Sequence, residues 1–275
     1  LRGWLMFEKF GIPVRTHMVG LYSGTLLADL GDLAPARLVP VMRTPDGIVI
    51  GETMAMAETL AERHPDAGLW PADPAARALA RWISAEMHAG FAALRGTCNC
   101  QLLYQYDGFT PSGAVMADVA RIETLWSLAR GRHGGTGPWL FGTYSLADVF
   151  FAPVAARIAG YALPVGPESQ AYVDLTLSDP AFRRWRAQGL TVSYDPVPYE
   201  LDLPKKPWPG PAPRAARAVA PGTPENATCP YSGKPDTSHM LEIDGRTFGF
   251  CNANCRDKTV NDPEAFPAFM ALLTA

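Results

Sequence analysis

The sequence predicts an α/β domain, then an all-helical domain, then a small α+β module at the carboxyl end. Helical and strand-like patterns alternate through residues 1–66, whereas residues 74–190 carry helical patterns alone. Residues 194–225 are rich in proline, which precludes regular helix or sheet and indicates an extended strap. Three of the five cysteines fall in residues 226–275, which marks this segment as a separate module.

The first 66 residues contain a helix, a strand, a hairpin and a second helix. The opening helix ends at Gly11 and Pro13, a combination typical of helix termination. A turn at Thr44–Gly47 separates two short apolar runs and predicts the hairpin. The predicted elements are a helix from Leu1 to Phe10, a strand from Val14 to Val19, hairpin strands at 38–42 and 48–50, and a helix from Thr53 to Arg63.

Capping signals divide residues 74–190 into successive helices. Asp73 and Asp179 each precede a proline, the combination expected at a helix start. Ser145 and Asp148 form a capping box that opens an apolar helix. The first helix is predicted to run through Trp82, Met87, Phe91 and Leu94, and the second spans residues 113–132. In the strap that follows, Tyr199 and Trp208 indicate docking onto a surface.

Composition narrows the possible function classes. The chain carries a net charge of −3 with 19% charged and 48% hydrophobic residues, so it offers no polycationic face for nucleic acid. No apolar run approaches the ~20 residues that a membrane-spanning helix needs. An odd number of cysteines without a regular framework favours a reducing compartment. We therefore expect a cytoplasmic protein with neither a nucleic-acid partner nor a membrane span.

Motifs through residues 1–190 together resemble the glutathione S-transferase family. They occur in the order of that family and are Leu1–Leu5 leading to Gly11–Pro13, Val39–Val41, Gly51–Glu62, Leu69–Pro71, Ala85–Arg95 and Phe141–Asp148. The resemblance implies a thioredoxin-like glutathione-binding domain in residues 1–66 and an all-helical substrate domain in residues 74–190. It also implies a homodimer, glutathione as the cofactor and a small electrophile as the second substrate.

The resemblance assigns glutathione-binding roles to four residues. Val39 would offer its backbone to the cysteinyl part of glutathione, and a cis bond at Pro40 would fix that geometry. Glu52 would meet the γ-glutamyl ammonium and Thr53 its carboxylate, at a helix start that favours anions. The alternative for Thr53 is a simple helix cap. The opening strand of the family and its catalytic Ser, Cys or Tyr have no counterpart here, so we expect both upstream of Leu1. The alternative is that the protein has lost the group that activates the glutathione thiol.

His88, Phe91 and Arg95 have the i, i+3, i+7 spacing of one helix face. By resemblance this face borders the second-substrate cleft, where Arg95 would hold an acidic substrate and His88 would move a proton. The alternative is structural, with His88 half-buried at an interface and Arg95 paired with an acid. Cys98 and Cys100, just beyond, are interpreted as small apolar residues, with soft-metal binding or oxidation as the alternative.

The cysteine module resembles the YHS/TRASH class of small treble-clef-like domains. Cys229, Cys251 and Cys255 match cysteines of that class, and Ser232 stands where another is expected. Because structural zinc sites have four ligands, His239 is the candidate for the fourth. The alternative is a metal-free module folded on phenylalanines, namely Phe248, Phe250, Phe266 and Phe269.

These observations favour a glutathione transferase-like protein that binds glutathione and conjugates or isomerises a small electrophile. If the protein is an enzyme, the thiolate of glutathione is its nucleophile. Zinc is the candidate metal of the cysteine module, which is also the candidate site for a protein partner. The alternative function is a non-catalytic scaffold that binds partners or senses metal through the transferase fold and this module.

Overall fold

The computed structural model describes residues 1–274 and divides the chain into two compact units. The first unit combines Leu1–Thr176 with Tyr194–Pro209, and the second combines Leu177–Ser193 with the chain from Gly210 onward. These units differ from the domains expected with boundaries at 66, 190 and 226. The physical reason is that the last helix of the predicted helical domain contributes to the core of the cysteine module.

The α/β part of the first unit carries the helices and the hairpin that the sequence predicts. Helix α1 (Arg2–Glu8) is followed by a short helix α2 (Leu26–Asp29), strands β1 (Met42–Arg43) and β2 (Val49–Ile50), and helix α3 (Thr53–Arg63). The two strands are antiparallel. The turn between them closes with a hydrogen bond that Gly47 N–H donates to the carbonyl of Thr44 at 2.9 Å.

The strand predicted from Val14 to Val19 is wrong. These residues have no partner strand anywhere in residues 1–274. The side chains of Val14 and Met18 are 48% and 54% exposed, so the alternating pattern buries neither of them. Alternation alone does not make a strand, because backbone N–H and C=O groups need a neighbouring strand to bond.

Five further helices lie in the first unit, and α7 is buried along almost its whole length. They are α4 (Pro74–Ala89), α5 (Ala92–Thr97), α6 (Gly113–His133), α7 (Leu146–Gly160) and α8 (Pro167–Ser178), the last of which ends in the second unit. Helices α1 and α4 both pack against α7. The predicted capping box is present, since the Asp148 carboxylate accepts hydrogen bonds from the backbone and hydroxyl of Ser145 at 2.9 and 3.1 Å.

The first predicted helix of this helical part is interrupted at Gly90 and Phe91. Helix α4 ends at Ala89, and Phe91 takes a left-handed conformation with a φ of 56° before α5 begins. A Cβ at position 90 would lie 2.7 Å from the carbonyl oxygen of Glu86, so only glycine fits this turn without a shift. The two helices therefore do not form one continuous face.

The strap contains regular structure, contrary to the prediction. Strand β4 (Lys205–Pro207) pairs antiparallel with β3 (Tyr104–Tyr106) in the first unit, and β5 (Arg217–Val219) joins the sheet of the second unit. Proline is tolerated because β4 and β5 are edge strands. The strap contacts the first unit at Tyr199, one of the two aromatic residues that indicated docking. The Tyr199 hydroxyl accepts a hydrogen bond from the Tyr22 hydroxyl at 3.0 Å.

The second unit contains a three-stranded antiparallel sheet, in the order β5-β6-β7, and three helices. Its elements are α9 (Pro180–Gly189), β5, β6 (His239–Ile243), β7 (Arg246–Phe250), α10 (Ala253–Asn261) and α11 (Pro267–Leu273). Strands β6 and β7 join through Asp244 and Gly245, which have φ values of 51° and 75°, as in a tight hairpin turn. The core includes Ala187 of α9 together with Leu241, Ile243, Phe248, Phe250, Phe266 and Phe269. No helix described in either unit is long and apolar enough to cross a membrane.

Candidate functional site

The candidate site of the first unit forms where α1, the residue-40 turn and α3 meet. A Cβ at Gly3 would lie 2.6 Å from Cβ of Pro40 and 3.5 Å from the methyl group of Met56. Glycine at position 3 therefore lets α1 approach both of the other elements closely. This arrangement fixes the start of α1 beside the start of α3.

The residue-40 turn has the backbone form that was expected. The Val39–Pro40 peptide bond is cis, and the side chain of Pro40 is in contact with α1 through position 3. Val39 is 39% exposed, so this residue lies at a surface that solvent reaches. The role of Val39 in holding an extended peptide stays a prediction.

Glu52, and not Thr53, caps helix α3. The Glu52 Oε1 atom accepts hydrogen bonds from Met54 N–H at 3.4 Å and from the Thr53 hydroxyl at 3.1 Å. The alternative in which Thr53 is the cap is therefore wrong, because Thr53 is the first helical residue and is 3% exposed. Partial burial alone would raise the pKa of Glu52, but the interaction with the His88 imidazole and the hydrogen bonds from Thr53 and Met54 lower it below its ordinary value.

His88 of α4 connects Glu52 to Arg2 of α1. Its Nε2 atom lies 3.1 Å from Glu52 Oε1, and its Nδ1 atom lies 3.1 Å from Arg2 Nη1. A guanidinium can only donate hydrogen bonds, so Nδ1 must accept and Nε2 must carry the hydrogen that faces the carboxylate. The aromatic ring of Phe150 on α7 supports both partners, at 5.3 Å from the Arg2 guanidinium and 6.3 Å from the imidazole.

Sequence reasoning found His88 and Glu52 but missed the residue that joins them to α1. Arg2 lies 86 positions from His88 along the chain. The signal that could have found it is a single basic residue at the start of a mainly apolar helix. The contact itself could not be predicted, because it depends on how α1 and α4 pack against α7.

Phe91 and Arg95 do not share a helix face with His88, which corrects the prediction from their spacing. The break after α4 removes the i, i+3, i+7 relation, and Phe91 is 8% exposed. Arg95 Nη1 donates to the carbonyls of His88 at 2.7 Å and Gly90 at 3.3 Å, which satisfies acceptors at the end of α4. The acid pair that the structural alternative proposed for Arg95 is absent from the described residues.

Cys98 and Cys100 differ in their surroundings. Cys98 is buried, and burial raises the pKa of its thiol to about 11, as suits a small apolar residue. Cys100 is exposed. Within residues 1–274 neither thiol belongs to a group of side chains placed to ligate a metal.

A cluster of three thiols forms a second candidate site, in the second unit. The sulfur atoms of Cys229, Cys251 and Cys255 all lie within 4.8 Å of one another. Ser232 Oγ donates to the sulfur of Cys251 at 3.2 Å, so serine lies beside the cluster at the position where a fourth cysteine was expected. We call these three cysteines the sulfur cluster.

His239 lies outside the sulfur cluster, contrary to its predicted role as fourth ligand. The reason is the register of β6 and β7. His239 is paired with Phe250, one residue before Cys251. The side chains of directly paired residues in antiparallel strands project from the same face of the sheet. The imidazole of His239 therefore lies on the same face as the side chain of Phe250.

The sulfur cluster combines thiols of different acidity. Burial raises the pKa of Cys229, but hydrogen bonds from the backbone N–H groups of Cys251, Tyr231 and Ser232 bring it down to about 6. Burial raises the pKa of Cys255 to about 11, although the charge of Lys258 acts in the opposite direction. One thiolate held by N–H donors next to two further sulfurs is a donor set for a soft cation.

Comparison with known proteins finds a matching family and similar proteins. Residues 1–63 match the family described as "Glutathione S-transferase, N-terminal domain". The "Probable maleylacetoacetate isomerase" of Caenorhabditis elegans is 33% identical over 168 residues, which cover 60% of this chain and 77% of the relative. The "Maleylacetoacetate isomerase" of Pseudomonas aeruginosa is 29% identical over 161 residues, which cover 55% of this chain and 72% of the relative.

Solved structures share the fold. A glutathione transferase homologue from Burkholderia with bound glutathione has a TM-score of 0.50 at 24% identity, over 70% of this chain and 91% of its own. A glutathione transferase from Methylococcus capsulatus has a TM-score of 0.51 at 21% identity, over 69% of this chain and 93% of its own. At these identities the likeness shows the fold alone, which is a thioredoxin-like domain followed by a helical domain.

Proposed function

Because this chain belongs to the glutathione S-transferase family, we propose that it is a glutathione-dependent transferase or isomerase that acts on a small electrophile. The observation that carries the proposal is the hydrogen-bonded chain from Arg2 through His88 to Glu52, at the start of α3. It presents a carboxylate of fixed orientation beside the cis Pro40 turn. The scaffold alternative is not favoured by the two relatives described above, since both are named as isomerases.

The geometry suits the γ-glutamyl end of glutathione. The Glu52 side chain is 56% exposed and its pKa is lowered, so it is ionised near neutral pH and reachable by an ammonium group. Val39 is exposed beside Pro40, and we assign its backbone to the cysteinyl part of the ligand. The N–H groups at the start of α3 favour the carboxylate of the same γ-glutamyl group. The Thr53 hydroxyl already donates to Glu52 Oε1 at 3.1 Å, so we assign this role to the backbone at that position and not to the hydroxyl.

In such a reaction the thiolate of glutathione attacks an electrophilic carbon of the second substrate. In a transferase the carbon–sulfur bond is kept. In an isomerase the thiolate adds to a conjugated double bond, the resulting single bond rotates, and elimination of the thiolate restores the double bond. The names of the relatives favour the isomerase form for this chain.

The test is calorimetric titration of the protein with reduced glutathione. Glu52→Gln keeps an oxygen that can accept the α3 capping bond but loses the charge, and we expect binding about 10-fold weaker or more. Glu62→Gln, on an exposed residue of the same helix, is the matched control and should bind as the wild type does. Equal affinity in all three proteins, or no binding by a folded wild type, would contradict the proposal.

We also propose that the sulfur cluster holds zinc with three protein thiolates. The proximity of the sulfurs of Cys229, Cys251 and Cys255 supports this, and so do the N–H groups that stabilise the Cys229 thiolate. A three-thiolate set leaves a fourth ligand position for a water molecule or for Ser232, whose hydroxyl already lies beside Cys251. A bound metal would constrain the hairpin and α10, which carry two of the three sulfurs.

Zinc content of the purified protein, measured by mass spectrometry, tests this second proposal. We expect about one zinc per chain, lost in Cys251→Ser and held more tightly against a chelator in Ser232→Cys, which completes a four-thiolate set. Cys100→Ser is the matched control, because Cys100 is exposed and outside the cluster. His239→Ala should retain zinc. A metal-free wild type at saturating zinc would rule the site out.

We further propose that the protein is a cytoplasmic homodimer. Its five cysteines are all free thiols, which suits a reducing compartment. Solved structures with this fold commonly form dimers, and sedimentation analysis of the purified protein would establish its assembly state. A monomer across the micromolar range would contradict the dimer.

A further inference from the structure

The sulfur cluster of the second unit has a buried side and a side that solvent reaches. Cys229 is 1% exposed and packs in the core of the unit. Cys251 and Cys255 are half-buried. Ser232, whose hydroxyl donates to the sulfur of Cys251, is exposed. The cluster is therefore accessible from the side on which Ser232 lies.

The turn that follows Cys229 fixes Ser232 beside the cluster. Gly233 N–H donates to the carbonyl of Cys229, and Cys229 N–H donates to the carbonyl of Lys234, both at 2.9 Å. Gly233 has a φ of 68°, a conformation that glycine adopts without strain. Ser232 Oγ lies 3.2 Å from the sulfur of Cys251. The residue at position 232 therefore determines whether the cluster has three strong ligands or four.

No stronger ligand takes the fourth position. Among residues 1 to 274, which the structure describes, no histidine, aspartate or glutamate joins the three sulfurs. Structural zinc sites are closed by four Cys or His ligands, whereas sites with three protein ligands keep a fourth position for a ligand from solution. A serine hydroxyl is a poor ligand for zinc compared with a thiolate. The sulfur cluster therefore has the donor set of an open site.

The surroundings of the cluster stabilise negative charge. Asn252 Nδ2 donates to the sulfur of Cys251 at 3.3 Å. The ammonium group of Lys258 lies 4.0 Å from the centre of the Tyr231 ring, and its charge opposes the effect of burial on the pKa of Cys255. Hydrogen-bond donors and a nearby cation favour the charged form of a thiol. These groups favour a fourth ligand that is soft and anionic.

We propose that the sulfur cluster is an open metal site, in which three cysteines hold the ion and the accessible position beside Ser232 takes the thiolate of a low-molecular-weight thiol. This inference rests on the zinc site proposed above. On binding, the thiol releases its proton to solvent, and its sulfur replaces the water molecule or hydroxyl at the fourth position. Thiolates are among the preferred ligands of zinc. Glutathione is one source of such a thiolate, and other small thiols are the second.

Cobalt(II), loaded into the full chain in place of zinc, is a visible probe of the cluster. Its thiolate-to-metal charge-transfer absorption grows with the number of bound thiolates. The added ligands are reduced glutathione, S-methylglutathione, whose sulfur is blocked, and 2-mercaptoethanol, a thiol without the peptide. We expect glutathione to raise this absorbance by about one third, because four thiolates replace three, and S-methylglutathione to leave it unchanged. An equal rise with 2-mercaptoethanol would show that the position takes any small thiol, and a rise with glutathione alone would identify glutathione as the source.

Ser232→Cys supplies a fourth protein thiolate in place of the external one. Its cobalt form should start at the higher absorbance and show no response to glutathione. Ser232→Ala removes the hydroxyl without adding a ligand and should respond at least as strongly as the wild type. Cys100→Ser is the matched control, because this exposed thiol lies outside the cluster, and it should respond as the wild type does. If Ser232→Cys does not fold, glutathione and S-methylglutathione still give a decisive comparison on the wild type.

Several results would overturn the inference. They are an equal response to glutathione and S-methylglutathione, a full response in Ser232→Cys, and release of cobalt by the thiol. Loss of the response in Glu52→Gln would also overturn it, because the response would then belong to the glutathione site of the first unit. Bound cobalt without any response to a thiol would leave the zinc proposal standing and remove the open position. A wild type that binds no cobalt would contradict both. Failure of the first unit to bind glutathione leaves the measurement with 2-mercaptoethanol intact.

Discussion

His88 donates the hydrogen on its Nε2 atom to the carboxylate of Glu52 across 3.1 Å. This bond joins the end of α4, in the all-helical part of the chain, to the start of α3, in the α/β part. The opposite side of the imidazole accepts from Arg2 at 3.1 Å. The orientation of the carboxylate at the glutathione-binding site therefore depends on a residue of the helical part.

We expect His88→Phe to weaken glutathione binding by about 3- to 10-fold, because loss of both ring nitrogens frees the Glu52 carboxylate to rotate. Phenylalanine keeps an aromatic ring against Phe150, so packing changes little. Calorimetric titration of both single variants and of the double variant with Glu52→Gln measures the coupling. Additive losses in the double variant would show that His88 does not act through Glu52.

Gly3→Ala should destabilise the protein by about 1–3 kcal/mol, because the new methyl group overlaps Pro40 at 2.6 Å. Urea unfolding followed by circular dichroism measures the effect. Gly131→Ala is the control, since a Cβ there meets no atom within 4 Å and glycine is unfavourable inside α6. The control should gain about 0.5–1 kcal/mol. Equal stability of Gly3→Ala and the wild type would contradict the close packing of α1 on the residue-40 turn.

The raised pKa of Asp148 should make the free energy of unfolding decrease as the pH rises. Burial raises its pKa to about 6, although hydrogen bonds from Ser145, Leu140 and Tyr172 favour the ionised form. Its stabilising effect is fully present below the unfolded-state pKa of about 4 and is lost as the pH rises through about 6. The loss amounts to roughly 3 kcal/mol for a shift of about two pKa units.

Urea unfolding of the wild type and of Asp148→Asn between pH 4 and pH 7.5 isolates this effect, because the other titrating groups are common to both proteins. We expect the difference in unfolding free energy between them to change in favour of the variant as the pH rises. A difference that stays constant over this range would show that the carboxyl group does not have a raised pKa.

Arg183→Met should destabilise the second unit by about 3–5 kcal/mol, because it leaves a buried carboxylate without its partner. Arg183 donates two hydrogen bonds to Asp262 at 2.8 and 2.7 Å, and the side chains are 17% and 6% exposed. Arg217→Met is the control, since its pair with Glu242 is 69% and 34% exposed and should contribute no more than about 1 kcal/mol. If thermal unfolding shows equal losses of stability in the two variants, the pair of Arg183 and Asp262 does not act as a buried ion pair.

The starts of helices could be predicted because their signals are local. Asp73 accepts a hydrogen bond from Ala76 N–H at 2.7 Å, as its place before a proline indicates, and Asp179 does the same for α9. The hairpin turns at Thr44 and Asp244 are likewise encoded in a few adjacent residues. Glu52 was assigned to the glutathione site by resemblance, and the structure adds its helix-capping bond.

Contacts between distant parts of the sequence could not be predicted. The sequence predicts that the first helix of the helical part continues to Leu94, whereas α4 ends at Ala89. This break could not be predicted, because the fit of Gly90 against Glu86 depends on backbone geometry. The pairing of β3 with β4 joins segments that are about a hundred residues apart. The salt bridge that ties α9 to the cysteine module spans 79 positions. Neither contact leaves a periodic pattern in the sequence.

The path of the chain through its two units constrains how this protein can have arisen and how it can be rearranged. Each unit is built from two separate stretches of sequence, and the chain passes from one unit to the other at residues 177, 194 and 210. A single recombination breakpoint in the gene would therefore transfer neither unit whole. The cysteine module cannot be gained or lost as a terminal cassette without α9, whose Arg183 and Ala187 complete its structure.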